Sequence, residues 1–88
     1  MTFAERIESK LRAALAPSEL RVDDDSDRHA GHAGSRTEGE THFRIYIVAE
    51  AFRGKSRVAR HRMVNDALRD EFAERIHALA IHAAAPGE

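Results

Sequence analysis

We predict that this 88-residue chain folds as a single α+β domain, in which three strands form a mixed sheet covered on one face by helices. Three observations predict this class. A chain of this length buries about 60% of the surface it exposes when unfolded, which is enough for one core. Segments with apolar residues at helical spacing are interspersed with segments in which apolar and polar residues alternate one by one. They occur in the order α-β-β-α-α-β, which is typical of a sheet with helices packed against it.

The first helix is predicted from its N-terminal signal and its apolar spacing. Thr2 and Glu5 have the spacing of a capping box, and apolar residues then recur every three or four positions. Pro17 cannot continue the helix, because proline lacks the backbone N–H that a helix needs. Leu20 and Val22 follow and predict a short edge strand.

A long flexible loop is predicted at about residues 24–41, because the segment from Asp23 onward is rich in Asp, Ser, Gly and His and has almost nothing apolar to anchor it. The segment from His42 to Ala49 then carries apolar residues at every odd position. This alternation predicts a strand that is buried on one face. Gly54 is expected to break the chain after this strand.

The second half of the chain predicts two helices and a closing strand. Ser56 is a suitable cap for a helix that reaches about Leu68, and a third, short helix is predicted over Asp70–Ile76. The alternation over His77–Ala83 predicts the last strand. Residues 85–88 are predicted to be a frayed tail, so that the whole chain, 1–88, is one domain.

Composition excludes several classes of protein. No apolar stretch approaches the ~20 residues of a bilayer-spanning helix, and the N-terminus lacks the apolar centre of a secretory signal, so we expect a cytoplasmic protein without membrane contact. The chain has no cysteine and therefore no thiolate of its own for catalysis or metal binding. Neither a nucleophile-base arrangement nor a phosphate-binding glycine loop is present, and we predict that the protein is not an enzyme.

Six histidines in 88 residues direct attention to metal binding, since imidazole is the strong transition-metal ligand that remains without cysteine. His29 and His32 lie three residues apart in the predicted loop, but two ligands do not complete a zinc tetrahedron. His77 begins the last predicted strand, and on spacing alone it is best interpreted as a boundary histidine that donates to a backbone carbonyl. His61 falls on the apolar side of the second helix, as a core or boundary residue would.

A run of basic residues surrounds the start of the second helix. The net charge of −1 argues against a chain dedicated to coating nucleic acid, yet five basic residues and no acid occur between Arg53 and Arg62. Phosphate contacts would come from Lys55, Arg57, Arg60 and Arg62. The alternative is a solvated helix face, because no aromatic residues are interleaved with the cations and the GxxG clamp of a KH module is missing.

Taken together, four segments of the chain resemble the BolA family. The run from Phe52 to Val64 has the pattern F-x-G-x-S-x-x-x-R-H-R-x-V, and I-H-A-L follows at the distance found in that family. The matching segments are Ser26–His32, Glu40–Phe43, Phe52–Val64 and Ile76–Leu79. The resemblance implies an α-β-β-α-α-β fold similar to class II KH domains, in agreement with the order predicted from the residue patterns.

The resemblance also implies a partner and a cofactor. BolA-like proteins associate with monothiol glutaredoxins and share a bridged [2Fe-2S] cluster with them, so the cluster is expected only in the complex. The family's recurrent ligand is the histidine of I-H-A-L, here His77, and the loop supplies the second ligand. Arg28-His29 matches the family's loop, which favours His29 over His32.

The resulting hypothesis is a non-enzymatic adaptor or regulator in iron–sulfur trafficking or iron sensing, with a partner cysteine and its bound glutathione supplying sulfur. On its own the chain is expected to be a monomer or a weak homodimer. The alternative is a DNA-binding transcriptional regulator that uses the basic helix Lys55–Arg62, since BolA-like proteins are also linked to transcription. A third hypothesis is an interaction module that binds partners without metal.

Overall fold

The computed structural model of the protein describes residues 2–24, 42–74, 76 and 78–88. Its helices and strands follow the predicted order α-β-β-α-α-β. They are α1 (Phe3–Leu15), β1 (Glu19–Asp24), β2 (His42–Val48), α2 (Arg57–Ala67), α3 (Arg69–Glu74) and β3 (Ala78–Ala84), with a 3-10 turn at Glu50–Phe52. None of the helices in this described part is long and apolar enough to cross a membrane.

The three strands form one mixed sheet, as predicted, and β2 lies in its centre. β1 runs antiparallel to β2, with Glu19 opposite Val48. β3 runs parallel to β2, with His42 opposite Ala78 and Val48 opposite Ala84. Because β3 is joined to β2 through α2 and α3, the parallel pairing is the expected result of a helical crossover.

The hydrophobic core lies on one face of the sheet. The odd-numbered apolar residues of β2 are buried against Ile7 and Leu11 of α1, Val64 of α2 and the turn residue Phe52. The even-numbered residues of β2 lie on the opposite, outer face, and Tyr46 there is exposed. The alternation over His42–Ala49 is thus explained by a central strand whose two faces meet a core and solvent.

The predicted capping box of the first helix is confirmed. The Glu5 N–H donates to Thr2 Oγ1 at 3.1 Å, and the Thr2 N–H donates to Glu5 Oε1 at 2.7 Å. The same contact holds the pKa of Glu5 below its usual value, because the backbone N–H of Thr2 stabilises the charged carboxylate. Ala16, in the left-handed conformation, ends the helix by donating its N–H to the Arg12 carbonyl.

α1 is also tied to α3 by charge. Glu71 is fully buried, and its Oε2 accepts a hydrogen bond from Arg6 Nε at 2.8 Å. Arg6 also contacts the Glu74 carboxylate at 2.7 Å, and Lys10 Nζ lies 3.5 Å from Glu71 Oε2. These contacts compensate the buried charge of Glu71 from the helix that faces it.

Several boundaries differ from the prediction. α3 covers Arg69–Glu74 rather than Asp70–Ile76, and two larger differences concern β1 and the C-terminal tail. β1 continues through Asp23 and Asp24, which were expected at the start of the loop, and the rest of that loop, 25–41, lies outside the described residues. The predicted frayed tail is instead held against the fold. Ala85 is buried, and the Glu88 carboxylate accepts hydrogen bonds from the Ala85 N–H at 3.0 Å and from Arg60.

Candidate functional site

The three histidines predicted to bind metal, His29, His32 and His77, lie outside the described residues. The neighbours of His77 in the chain are described. Ile76 is buried and donates its N–H to the Glu71 carbonyl at 3.2 Å, and Ala78 is exposed at the start of β3. In the chain, His77 therefore follows a residue that is buried in the core and precedes a residue that is exposed on the sheet.

The described residues to which these histidine-bearing segments are bonded lie together at one end of the sheet. We call these residues the attachment points. Asp24, the last residue of β1, pairs with Phe43, and His42, the first residue of β2, pairs with Ala78. The segment 25–41 is bonded to Asp24 and His42, and residue 77 is bonded to Ala78. His32 is ten residues from His42, a span of at most about 35 Å when extended, so chain length does not prevent a shared site.

The described histidines do not form a metal site by themselves. His42 and His61 are half-buried and His82 is exposed. Within the described ranges, no group of three or more His, Asp or Glu side chains could hold a metal ion. A complete set of protein ligands is therefore absent from this part of the chain.

The basic residues divide into two kinds. Lys55, Arg57 and Arg62 are exposed and form no ion pair with any described residue. Arg60 is different, since its side chain is only 14% exposed and its guanidinium donates to both carboxylate oxygens of Glu88, at 2.6 and 2.9 Å. It also donates to the Ala83 carbonyl at 3.3 Å. Three of the four predicted cations thus have no acidic partner among the described residues.

The Arg60–Glu88 contact also shifts the two groups electrostatically. The hydrogen bonds from Arg60, together with that from the Ala85 N–H, lower the pKa of Glu88 to about 2. The Glu88 carboxylate in turn raises the pKa of Arg60. Both groups therefore stay charged at neutral pH and lock the end of β3 to α2.

The turn before α2 and the cap of that helix position Lys55 and Arg57. Phe52 is buried in the 3-10 turn, and Gly54 then adopts a positive φ of 77° that reverses the chain. Ser56 caps α2 by accepting the Ala59 N–H at 3.1 Å, as predicted. Arg53 reinforces this turn by pairing with Glu50 and by donating to the Pro86 carbonyl at 2.8 Å.

A groove of about 640 Å³ lies between the start of α2 and β3, which is an edge strand of the described sheet. Lys55, Arg57 and Arg60 line it from α2 and the preceding turn. From the sheet, Tyr46 and His82 line it with their rings stacked, 4.7 Å between centroids and 8° between planes. The sequence pattern shows Tyr46 and His82 only as ordinary strand residues, because their contact depends on the register between β2 and β3, which are distant in the chain.

Comparison with known proteins identifies similar chains. The family model described as BolA-like protein matches residues 11–88. An uncharacterised protein from Sinorhizobium is 49% identical over 89 residues, which cover all of this chain and 96% of that protein. The DNA-binding transcriptional regulator BolA of Escherichia coli K12 is 45% identical over 82 residues, covering 93% of this chain and 74% of that protein.

The solved BolA domain of SufE1 from Arabidopsis thaliana has the same fold. It superposes with a TM-score of 0.85 and 48% identity, covering 98% of this chain and 94% of the solved chain. The whole SufE-like protein 1 of Arabidopsis is much longer, since the matched region, 51% identical over 87 residues, covers 94% of this chain and only 24% of that protein. The fold described here is therefore found both as a small protein and as part of a larger one.

Proposed function

The chain belongs to the BolA family, and from this premise we propose that it is a non-enzymatic adaptor that shares a bridged [2Fe-2S] cluster with a monothiol glutaredoxin. The proposed ligands from this chain are His77 and one loop histidine, His29 or His32. The role would be cluster trafficking or iron sensing. The observation that carries the proposal is the pairing of His42 with Ala78, which brings the attachment points of both histidine-bearing segments to one end of the sheet.

The donor chemistry of the chain fits such a shared cluster. The chain has no cysteine, so it can offer no thiolate, and histidine is its strongest ligand for iron. Histidine pairs replace cysteine pairs on one iron of Rieske-type [2Fe-2S] centres, so two imidazoles are a chemically sufficient half of the ligand set. The remaining two ligands would be the glutaredoxin cysteine and its bound glutathione. The protein alone is then expected to hold no cluster.

This ligand set has a consequence for pH. Imidazole binds metal only in its neutral form, so protonation competes with cluster binding. The partner's thiolates are softer ligands than imidazole and hold an iron–sulfur cluster more strongly. We therefore expect the shared cluster to be lost from this chain, rather than from the glutaredoxin, as the solution is acidified.

The test is visible circular dichroism of a cluster-loaded monothiol glutaredoxin during titration with this protein. We expect the wild-type chain to change the spectrum and His77→Ala to abolish that change. His61→Ala, which removes a half-buried imidazole on α2, is the matched control and should behave as wild type. His29→Ala and His32→Ala should differ from each other, and the one that weakens the change identifies the loop ligand.

Copurification separates failure of the cluster site from failure of the partnership. If His77→Ala still binds the glutaredoxin but no longer alters the spectrum, the residue acts on the cluster. If wild type and His77→Ala give identical spectra while both bind the glutaredoxin, ligation by His77 is refuted. A chain that binds no monothiol glutaredoxin would refute the adaptor role itself.

A second candidate function is DNA binding, and it is supported by the exposed cations Lys55, Arg57 and Arg62, which have no acidic partner among the described residues. The matched relative from Escherichia coli is named a DNA-binding transcriptional regulator. Binding through phosphates should weaken steeply with salt, and neutralising one contacting cation should reduce the slope of log K against log salt by about 0.9 on duplex DNA. Absence of binding to duplex and single-stranded DNA at low salt would refute this function.

A further inference from the structure

The groove between α2 and β3 combines three features that the cluster proposal does not use. It is concave, it is lined by cations, and one wall is an aromatic surface. It is an open groove of about 640 Å³ rather than an enclosed cavity, so a ligand would lie along its walls. A ligand that fits it should therefore combine charge with flat rings.

The charge of the groove is positive. No Asp or Glu side chain is among the residues that line it. Lys55 and Arg57 stand at its rim without an ion-pair partner in the described part of the chain, while Arg60 is neutralised by Glu88. Two uncompensated cations on one wall favour an anionic ligand, and a polyanion more than a single charge.

The aromatic wall has one open face. In the row across the sheet, the Arg21 guanidinium lies 5.5 Å from the Tyr46 ring centroid on the β1 side, and His82 stacks on Tyr46 from β3. β3 is an edge strand of the described sheet, so no further strand of that sheet covers the other face of the exposed His82 ring. A flat ring placed there would extend the existing stack of Arg21, Tyr46 and His82 by one member.

Backbone groups on the same edge can pair with a planar ligand. The Ala84 carbonyl points toward β2, where it accepts the Ala49 N–H, and the Ala83 carbonyl points to the opposite side, where it meets Arg60. Because peptide groups alternate along a strand, those of Ile81 share the outward direction of Ala83. No described strand pairs with this edge, so Ile81 offers a donor and an acceptor beside the ring stack.

We propose that this groove binds a single strand of nucleic acid, with a base stacked on His82 and the backbone phosphates at Lys55 and Arg57. The proposal deepens the second candidate function and rests on it. Cations beside an aromatic platform are the usual means of binding single strands. A duplex does not fit this arrangement, since its bases are stacked on each other and are read by elements that project into a groove rather than by a concave slot.

The test is fluorescence anisotropy of the full chain with a labelled 15-nucleotide thymidine strand and with a duplex of the same length. We expect tighter binding of the single strand. His82→Ala should weaken it about 5- to 150-fold, which corresponds to one lost base stack, and His82→Phe should restore it. Arg57→Gln should reduce the salt slope by about 0.7. Arg69 is an exposed residue at the start of α3 that does not line the groove. Arg69→Gln removes the same charge as Arg57→Gln, so it is the control and should bind as wild type.

Each alternative outcome overturns the proposal in a distinguishable way. Tighter binding of the duplex, with no effect of His82→Ala, would leave the second candidate function standing and refute the single-strand groove. An equal loss with Arg57→Gln and Arg69→Gln would mean diffuse attraction rather than a site. Equal affinity for a poly-glutamate peptide would indicate a site for acidic protein segments, and absence of any binding would refute both the groove and the second candidate function.

Discussion

Replacing Gly54 with alanine should lower the free energy of unfolding by about 1 kcal/mol, and the value follows from two opposing contributions. Gly54 has a φ of 77°, and a Cβ built there would have no heavy atom within 4 Å. Steric conflict with the surroundings is therefore absent, and only the backbone preference of an L-residue opposes the change, at about 1–2 kcal/mol. The reduced entropy of the unfolded alanine chain offsets about 0.4–1 kcal/mol of that cost.

The measurement is urea denaturation followed by far-UV circular dichroism. A small protein has a denaturant slope of about 1 kcal/mol/M, so the midpoint of Gly54→Ala should fall by about 1 M at unchanged slope. Gly54→Asn should lose less than alanine, because asparagine tolerates the left-handed region, and Gly54→Val should lose more, because a β-branched residue is poorly accommodated there.

Gly87 provides an independent check on the cost of a left-handed backbone. It also has a positive φ, 89°, and a Cβ there would meet open space, so Gly87→Ala should shift the midpoint in the same direction. If Gly54→Ala and Gly54→Val both unfold at the wild-type midpoint, the backbone at this turn is not left-handed and the expected loss is refuted. The position matters for function because this turn directs Lys55 toward the groove.

Three further predictions concern residues that stabilise the structure around the groove. Phe52→Ala should lower the free energy of unfolding by about 3–5 kcal/mol, because the ring is fully buried. This is a large part of the roughly 4–13 kcal/mol expected for 88 residues. Chemical denaturation measures the loss, and a value below about 1 kcal/mol would contradict the prediction. Ser56→Ala should cost about 1 kcal/mol in the same measurement by removing the cap on Ala59, whereas Ser56→Asp should retain most of the stability. The pKa of Glu88 is lowered to about 2 by Arg60, so this carboxylate stabilises the fold above pH 4.5 and loses that effect as the pH falls toward 2. The difference in Tm between wild type and Glu88→Gln should therefore shrink over this range, and a constant difference would refute the assignment.

The fold could be predicted from the sequence where a local pattern determines the structure. The alternation of β2 is visible because the strand is central and meets the core on one face only. The capping box of α1 is visible because both partners, Thr2 and Glu5, lie within one turn. In each case the signal and the contact that it predicts are separated by only a few residues.

The prediction failed where the stabilising contact is long-range. Asp23 and Asp24 have the composition of a loop, yet they lie in β1 because backbone pairing with β2 does not require apolar side chains. The frayed tail was predicted because the last residues of a domain are usually poorly ordered, while its anchor is the contact between Glu88 and Arg60, 28 residues apart. No pattern within either segment reveals such a partner before the topology is known.

The two proposed surfaces lie along the same strand, β3. Its first residue, Ala78, is beside the attachment points of the histidine-bearing segments, and His82, the proposed stacking platform of the groove, is four residues further, which is about 13 Å at about 3.3 Å per residue. A typical protein partner covers about 800 Å² of the surface it binds, a patch wider than this distance. We therefore expect a protein partner at the Ala78 end and a single strand at His82 to compete for this chain.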